Sequence, residues 1–202
     1  MGRRMTPRAW LVDLDGTLYR ALPVKLGMAL ELALFGWAVA APLRLFRHAH
    51  EELRADPAAA PGDPFARQLE RAAARAGVEP EALEAIVREW MVERPGKWLR
   101  LARRGALLAE LAAFRADGGR SALVSDYPAR AKLAALGAAD LFDAVVAAGE
   151  PDGPARLKPA PDGYLRAAGA LGVAPAECLV IGDRDDADGE AARRAGMAFR
   201  RV

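Results

Sequence analysis

The sequence predicts an α/β fold: a Rossmann-like three-layer α/β/α core with a parallel sheet, plus an all-helical segment inserted after the first strand. Three observations carry this. A short apolar strand near the start ends in two carboxylates. A long run of helix-forming sequence follows it. From Gly105 onward, short apolar strands alternate with helices. Strands that alternate with helices join into a parallel sheet through right-handed crossovers.

Composition sets the bounds. The chain has 202 residues, 52% of them hydrophobic, enough for a sizeable core and too many for a disordered chain. Lys and Arg number 29 against 27 Asp and Glu, a net charge of +2, so nothing in the charge favours a nucleic-acid or polyanion partner. The single cysteine, Cys178, excludes an intramolecular disulfide and a cysteine-rich zinc site. It precedes an apolar run and is expected in the core. Met1 to Trp10 carries Arg3, Arg4 and Arg8 with no apolar stretch ahead of the strand. That reads as no signal peptide and a reduced, cytoplasmic setting.

The opening strand is Ala9 to Val12, an apolar run that delivers Asp13 and Asp15 before Gly16-Thr17 turn the chain. In open α/β sheets ligands bind at that end of the strands. One carboxylate can attack an electrophile there while the other handles a proton. Two like charges so close need neutralising, and a divalent cation does it.

Leu22 to Leu53 is rich in Leu and Ala, and between Lys25 and Arg44 its only charged residue is Glu31. That is about the length of a short membrane span. Glu31, Gly27, Gly36 and Pro42 argue against one, since a mid-membrane carboxylate costs about 3 kcal/mol. The favoured expectation is a buried helix pair broken near Gly36 or Pro42. Its segment Leu26 to Ala41 would pack against later helices carrying Leu69, Leu83, Ile86 and Trp90. Membrane contact through this stretch is the alternative.

Asp56 to Pro61 reads as a Pro/Ala linker. Asp63-Pro64 caps and starts a helix that runs to about Gly77. Pro80 opens another, with Leu83, Ile86, Val87 and Trp90 at helical spacing, and Arg94-Pro95-Gly96 breaks it as a hinge. Beyond that, Leu107 to Ala116 is helical, and Ser121 to Ser125 is a strand. A helix over about Ala129 to Leu136 follows, then strand Phe142 to Ala147 and helix Pro161 to Leu171. Strand Cys178 to Gly182, helix Asp188 to Ala195 and a last strand Ala198 to Val202 complete the chain. There is no internal repeat.

Further groups follow strand ends: Ser125, Lys158 in Arg156-Leu157-Lys158-Pro159, and Asp183 and Asp188 in Ile181-Gly182-Asp183-Arg184-Asp185-Asp186-Ala187-Asp188. Each has a task in phosphoryl transfer, where catalysis is mostly positioning and charge neutralisation. Ser125 and backbone amides donate to phosphate, Lys158 supplies a fixed cation, and Asp13 and Asp183 suit magnesium. Other polar residues have plainer readings. Asp185 and Asp186 are first-turn acids. His48 and His50 lack metal-ligand partners and read as surface residues. Arg94, Lys97, Arg100, Arg103 and Arg104 form a solvated basic face, and Trp90 and Trp98 pack.

In this order, Asp-x-Asp-Gly-Thr, strand-Ser, Lys-Pro and Gly-Asp-x-x-x-x-Asp, the chain resembles the haloacid dehalogenase superfamily, in its phosphoglycolate-phosphatase-like branch. The resemblance covers residues 9–19 and about 105–202, and the helices between fall where that branch carries a C1-type helical cap. It implies a catalytic core of residues 1–19 and 97–202 and a cap of 20–96. It also implies a magnesium-dependent phosphatase that hydrolyses a small phosphorylated metabolite through an aspartyl-phosphate. Asp13 would be the nucleophile and Asp15 the acid and base. Thr17, Ser125 and Lys158 would hold the phosphate. Mg2+ would sit on Asp13, the Asp15 carbonyl and Asp183, with Asp188 acting through water. Dehalogenases of the superfamily lack the second aspartate, so Asp15 favours phosphoryl chemistry. Asp126 stands where the family often has Asn. Two alternatives stay open: a phosphomutase, for which no cap His-Lys pair near Thr17 speaks, and a silent scaffold that binds a partner through its apolar cap. Monomer and dimer are both compatible with the sequence.

Overall fold

The computed structural model describes residues 7–56 and 60–202; the N-terminal arginines Arg3 and Arg4 and the middle of the Pro/Ala linker lie outside the described residues. The core is a five-stranded sheet in the order β3-β2-β1-β4-β5, parallel at every pairing. Its strands are β1 Ala9–Asp13, β2 Arg120–Ser125, β3 Ala144–Ala147, β4 Cys178–Gly182 and β5 Ala198–Arg201. Period-two alternation feeds two apolar layers. Trp10, Val12, Leu123 and Ile181 face one layer, shared with Leu107, Leu108 and Leu111 of α6 (Gly105–Ala116) and Leu133 and Leu136 of α7 (Arg130–Leu136). Ala9, Leu11, Ala122, Val124 and Val180 face the other. There Tyr164, Ala167, Ala168 and Leu171 of α8 (Asp162–Leu171) and Ala191 and Ala192 of α9 (Glu190–Arg194) cover them. Cys178 is buried in that second layer, as expected.

From β1 the chain builds outward through β2 and β3, then returns to place β4 on the opposite flank of β1. The gap between β1 and β4 is the switch point at which such sheets bind ligands.

Helices α1 Ala21–Phe35, α2 Ala40–Ala55, α3 Pro64–Ala76, α4 Pro80–Val87 and α5 Gly96–Ala102 lie between β1 and β2 and do not join the sheet. Asp63 caps α3 by accepting from the Phe65 and Ala66 amides, Pro64 takes the first turn, and Gly77 closes it at φ +66°. An antiparallel bridge, Tyr19 with Arg103, closes the neck through which the chain leaves and re-enters the core. Leu43, Phe46, Leu53, Phe65, Leu69, Leu83, Val87 and Trp90 of the helical segment form a further apolar cluster, which Ala148 and Leu157 of the loops after β3 join.

Of the two breaks expected, near Gly36 or Pro42, the structure has the first: α1 and the helical stretch Trp37–Ala55 meet at 107° around Gly36. Pro42 sits in the first turn of α2, where its missing amide costs nothing. Contrary to expectation, the segment Leu26 to Ala41 does not bury itself against the later helices. Only its inner side does: Gly27 seats the Trp98 ring, Gly36 seats Trp90, and Met28, Leu32 and Val39 reach the cluster. A helix apolar all round has more apolar surface than one neighbouring face can cover. Leu22, Leu26, Leu30, Leu34, Phe35 and Trp37 are left exposed. Among the described residues no single helix is long and apolar enough to cross a membrane; the bent pair passes by length and composition only.

Candidate active site

The predicted groups meet at the carboxyl edge of the sheet. Asp13 ends β1, Ser125 ends β2, Asp183 follows β4, and Lys158 stands in the loop between β3 and α8. Asp13, Asp15, Ser125, Lys158, Asp183 and Asp188 line one cavity of about 120 Å³.

Two glycines make the geometry possible. Gly16 holds φ +96°, and a Cβ there would stand 2.3 Å from Asp183 Oδ2. A Cβ on Gly182 would stand 2.4 Å from Asp188 Oδ2. The backbone thus approaches both carboxylates more closely than any side chain allows.

Lys158 organises the floor. Its buried Nζ donates to Asp13 Oδ1 and, at 2.8 Å, to Asp188 Oδ1, which also accepts from the Tyr164 hydroxyl at 2.8 Å. Asp188 Oδ2 accepts from the Arg184 amide across the π-type turn Asp185–Gly189, which replaces the start of the expected helix. Thr17 Oγ1 donates to Asp13 Oδ2 at 2.8 Å. Asp126 accepts from the Lys158 backbone amide at 3.1 Å and so fixes the loop that carries the ammonium group. Ser125 is buried, with its Oγ accepting from the Tyr127 amide.

Asp15 is set apart from this group. Both its oxygens accept from Lys132 Nζ, at 2.7 and 3.0 Å, and Oδ1 also accepts from the Tyr19 hydroxyl. Burial alone would raise this carboxyl, but the Lys132 ammonium and the Tyr19 hydroxyl outweigh it and hold it below the usual range. Asp13 moves the other way. Burial pushes it up to about 8, with Asp188 and Asp15 adding to the rise and Lys158 opposing it. Burial and Asp188 likewise raise Asp183. Lys158 is held well above its ordinary range, because Asp13 and Asp188 outweigh its burial.

Carboxylate oxygens of Asp13, Asp183 and Asp188 all lie within 4.8 Å of one another. Of these carboxylates, Asp13 and Asp188 share the single ammonium of Lys158, while Lys132 is spent on Asp15. The negative charge left over, and the raised affinity of Asp13 and Asp183 for protons, fit an all-oxygen site for a hard divalent cation.

Sequence reasoning missed several groups at or next to the cavity. Lys132 is paired with a residue 117 positions away, a link that no local pattern shows. His50, expected at the surface, is buried: it bonds Gln68 at 3.2 Å, stacks on Tyr127 with 4.4 Å between ring centroids, and lines the cavity. It sits on the α2 face that packs into the helical cluster, one residue from buried Ala49. His48 is exposed and pairs with Glu52, as a surface residue. Arg54, not singled out in the sequence, donates from Nε to the Lys158 carbonyl at 3.0 Å and ties α2 to the core loop.

The comparisons with known proteins agree with this geometry. A family model described as haloacid dehalogenase-like hydrolase matches residues 7–196. Fructose-1-phosphate phosphatase YqaB of Escherichia coli K12 is 38% identical over 120 residues, 59% of this chain and 50% of that protein, so the chain spans about half the length of this relative in the match. L-2-haloacid dehalogenase of Xanthobacter autotrophicus superposes with a TM-score of 0.64 at 24% identity, over 97% of this chain and 77% of the other. A predicted phosphoglycolate phosphatase of Haemophilus somnus 129PT superposes with a TM-score of 0.57 at 21% identity, over 98% and 85%. These two superpositions speak for the fold alone. With most of its length inside the family model, the chain belongs to the haloacid dehalogenase-like hydrolases.

Proposed function

We propose that the protein is a magnesium-dependent phosphatase that hydrolyses a small phosphorylated metabolite through a phosphoryl group carried on Asp13. The observation that carries this reading is Asp15, a second carboxylate beside the Asp13 site, held by its own lysine and tyrosine and separate from the acidic group. Sugar phosphates are the first class to test, in view of the similarity to a fructose-1-phosphate phosphatase.

Asp13 and Asp183, with the Asp15 carbonyl, would hold Mg2+, and Asp188 would act on it through water. Bound, it supplies the positive charge that keeps Asp13 ionised and offsets the phosphoryl oxygens. Thr17, Ser125 and Lys158 orient the phosphoryl group. The Asp13 carboxylate attacks phosphorus as the bond to the leaving oxygen breaks, and Asp15 gives that oxygen its proton. The dianionic substrate raises the proton affinity of Asp15 on arrival, which offsets the effect of Lys132 and Tyr19. Asp15 therefore enters the first step carrying a proton taken up from solvent as the substrate binds. After giving it to the leaving oxygen it takes one from water, which attacks the phosphorus of the acyl phosphate and frees Asp13 and phosphate. The helices of residues 20–96 act as a cap on a core of 1–19 and 97–202. His50, Glu51 and Arg54 of α2 reach the cavity and present the cap's polar contacts to the substrate.

The test is hydrolysis of an aryl phosphate with and without Mg2+, followed by a panel of phosphorylated metabolites. Turnover lost on chelation and restored by Mg2+ supports the reading. Full turnover after exhaustive chelation rejects it.

A further inference from the structure

Among the described residues the outer face of α1 has no partner. Its exposed residues are Leu22, Pro23, Lys25, Leu26, Ala29, Leu30, Ala33, Leu34 and Phe35, and all but Lys25 are apolar. The surface continues past the Gly36 bend through Trp37, which is 79% exposed. Leu26, Leu30 and Leu34 are 64%, 57% and 61% exposed in a single i, i+4 row. A solvent-facing helix ordinarily carries its charges on this side. An unbroken apolar row of this length marks a contact surface.

Charge decides what it contacts. The single carboxylate on α1, Glu31, faces inward. It accepts from Trp98 Nε1 at 2.5 Å and pairs with Lys97 at 2.8 Å. No acidic residue other than Glu31 occurs between Asp15 and Glu51. Basic residues stand at the edges: Lys25 on α1 itself, Arg44 early in α2, and Arg100 and Arg103 on and after α5, which packs along α1; the exposed Glu89 is paired with Arg94, which also reaches Glu31. Leu101 stands among the last group at 80% exposure.

From this juxtaposition we infer that α1 is a docking surface for an anionic lipid bilayer, lying in the plane of the interface with its leucine row and Trp37 in the headgroup region. Apolar burial and attraction of a basic rim to acidic headgroups are the two contributions such helices combine. Trp37, at the exposed bend, is the residue type that favours the interface, and Lys25 can extend its ammonium to the headgroups while its stem lies along the apolar face. A second copy of the chain fits less well. A two-fold contact sets this face against itself, bringing basic rim to basic rim with no exposed carboxylate on α1 to answer it.

The test is sedimentation of the full chain with phosphatidylcholine vesicles that contain phosphatidylglycerol, beside vesicles of phosphatidylcholine alone. The double variant Leu26→Asp/Leu30→Asp runs in parallel; both positions are exposed, and Val24, Gly27 and Glu31 on the inner side stay untouched. The inference expects binding to the anionic vesicles, weakened by salt, with a blue shift of emission that is missing in Trp37→Phe, and loss of binding in the double variant. Three results overturn it: wild-type protein left in the supernatant with anionic vesicles, vesicle binding unchanged in the double variant, or a dimer in solution that becomes monomeric in the double variant without any vesicle binding. Far-ultraviolet dichroism of the variant, matched to wild type, keeps a folding defect from imitating the loss.

Discussion

Replacing Gly16 by alanine tests how closely the acidic site depends on backbone. The new Cβ would stand 2.3 Å from Asp183 Oδ2 and 2.8 Å from Asp183 Cγ, about 1 Å short of ordinary contact. The residue also sits at φ +96°, where a side chain costs about 1–3 kcal/mol. For a chain of this size that lowers the melting temperature by about 3–10 °C. Backbone strain alone would stop there. The Asp183 carboxylate must also move by about 1 Å, and a displacement of that size at a reacting centre costs about 100-fold in rate. Gly137→Ala separates the two effects. Gly137 has φ +64° but nothing within 4 Å of a Cβ. That variant should lose stability and keep turnover and Mg2+ affinity. Gly16→Ala should lose all three, read by thermal unfolding, calorimetric Mg2+ titration and aryl phosphate turnover. Turnover and Mg2+ affinity within about twofold of wild type in a folded Gly16→Ala protein would refute the reasoning.

Other consequences follow from the same geometry. Asp183→Asn should weaken Mg2+ binding more than Asp188→Asn does. Asp188 is committed to Lys158, Tyr164 and the Arg184 amide, so its loss should show more in the melting temperature; equal Mg2+ affinities for the two variants would reject the ranking. His50 is held below its ordinary range by burial, against the opposing effects of Asp126, Gln68 and Glu51 and with the aid of Arg54. The unfolded chain therefore takes up the proton first, and stability falls as pH drops from about 6.5 toward the folded value. His50→Gln should flatten the melting-temperature profile over that window. An unchanged slope would mean that other groups set it.

Much of the fold was legible because its signals are local. The strands around Leu11, Leu123 and Val180 are short apolar runs that alternate between two layers, and Asp63-Pro64 with Gly77 marks both ends of α3. That Asp13, Asp15, Ser125, Lys158, Asp183 and Asp188 line one cavity was legible because they end or come after strands, and a parallel sheet gathers strand ends at one edge. Lys132, Tyr19 and His50 were not legible as site residues. Lys132 meets Asp15 only through tertiary packing, and the burial of His50 depends on which face of α2 meets the helices around Gln68. The outer row of α1 misled for a different reason. A helix apolar on every side has no periodicity to say which side is covered, so Leu26, Leu30 and Leu34 read as core residues.

The measurement that bears most directly on the phosphatase reading is chemical capture of the phosphoryl group on the protein. Turnover is quenched, the protein is reduced with borohydride, which converts an acyl phosphate side chain to homoserine, and the peptide containing position 13 is weighed. The account predicts homoserine at position 13 in wild type alone, with Asp13→Asn unlabelled and less than about one-hundredth as active. Rapid turnover with no change at position 13, together with activity above that level in Asp13→Asn, would contradict it.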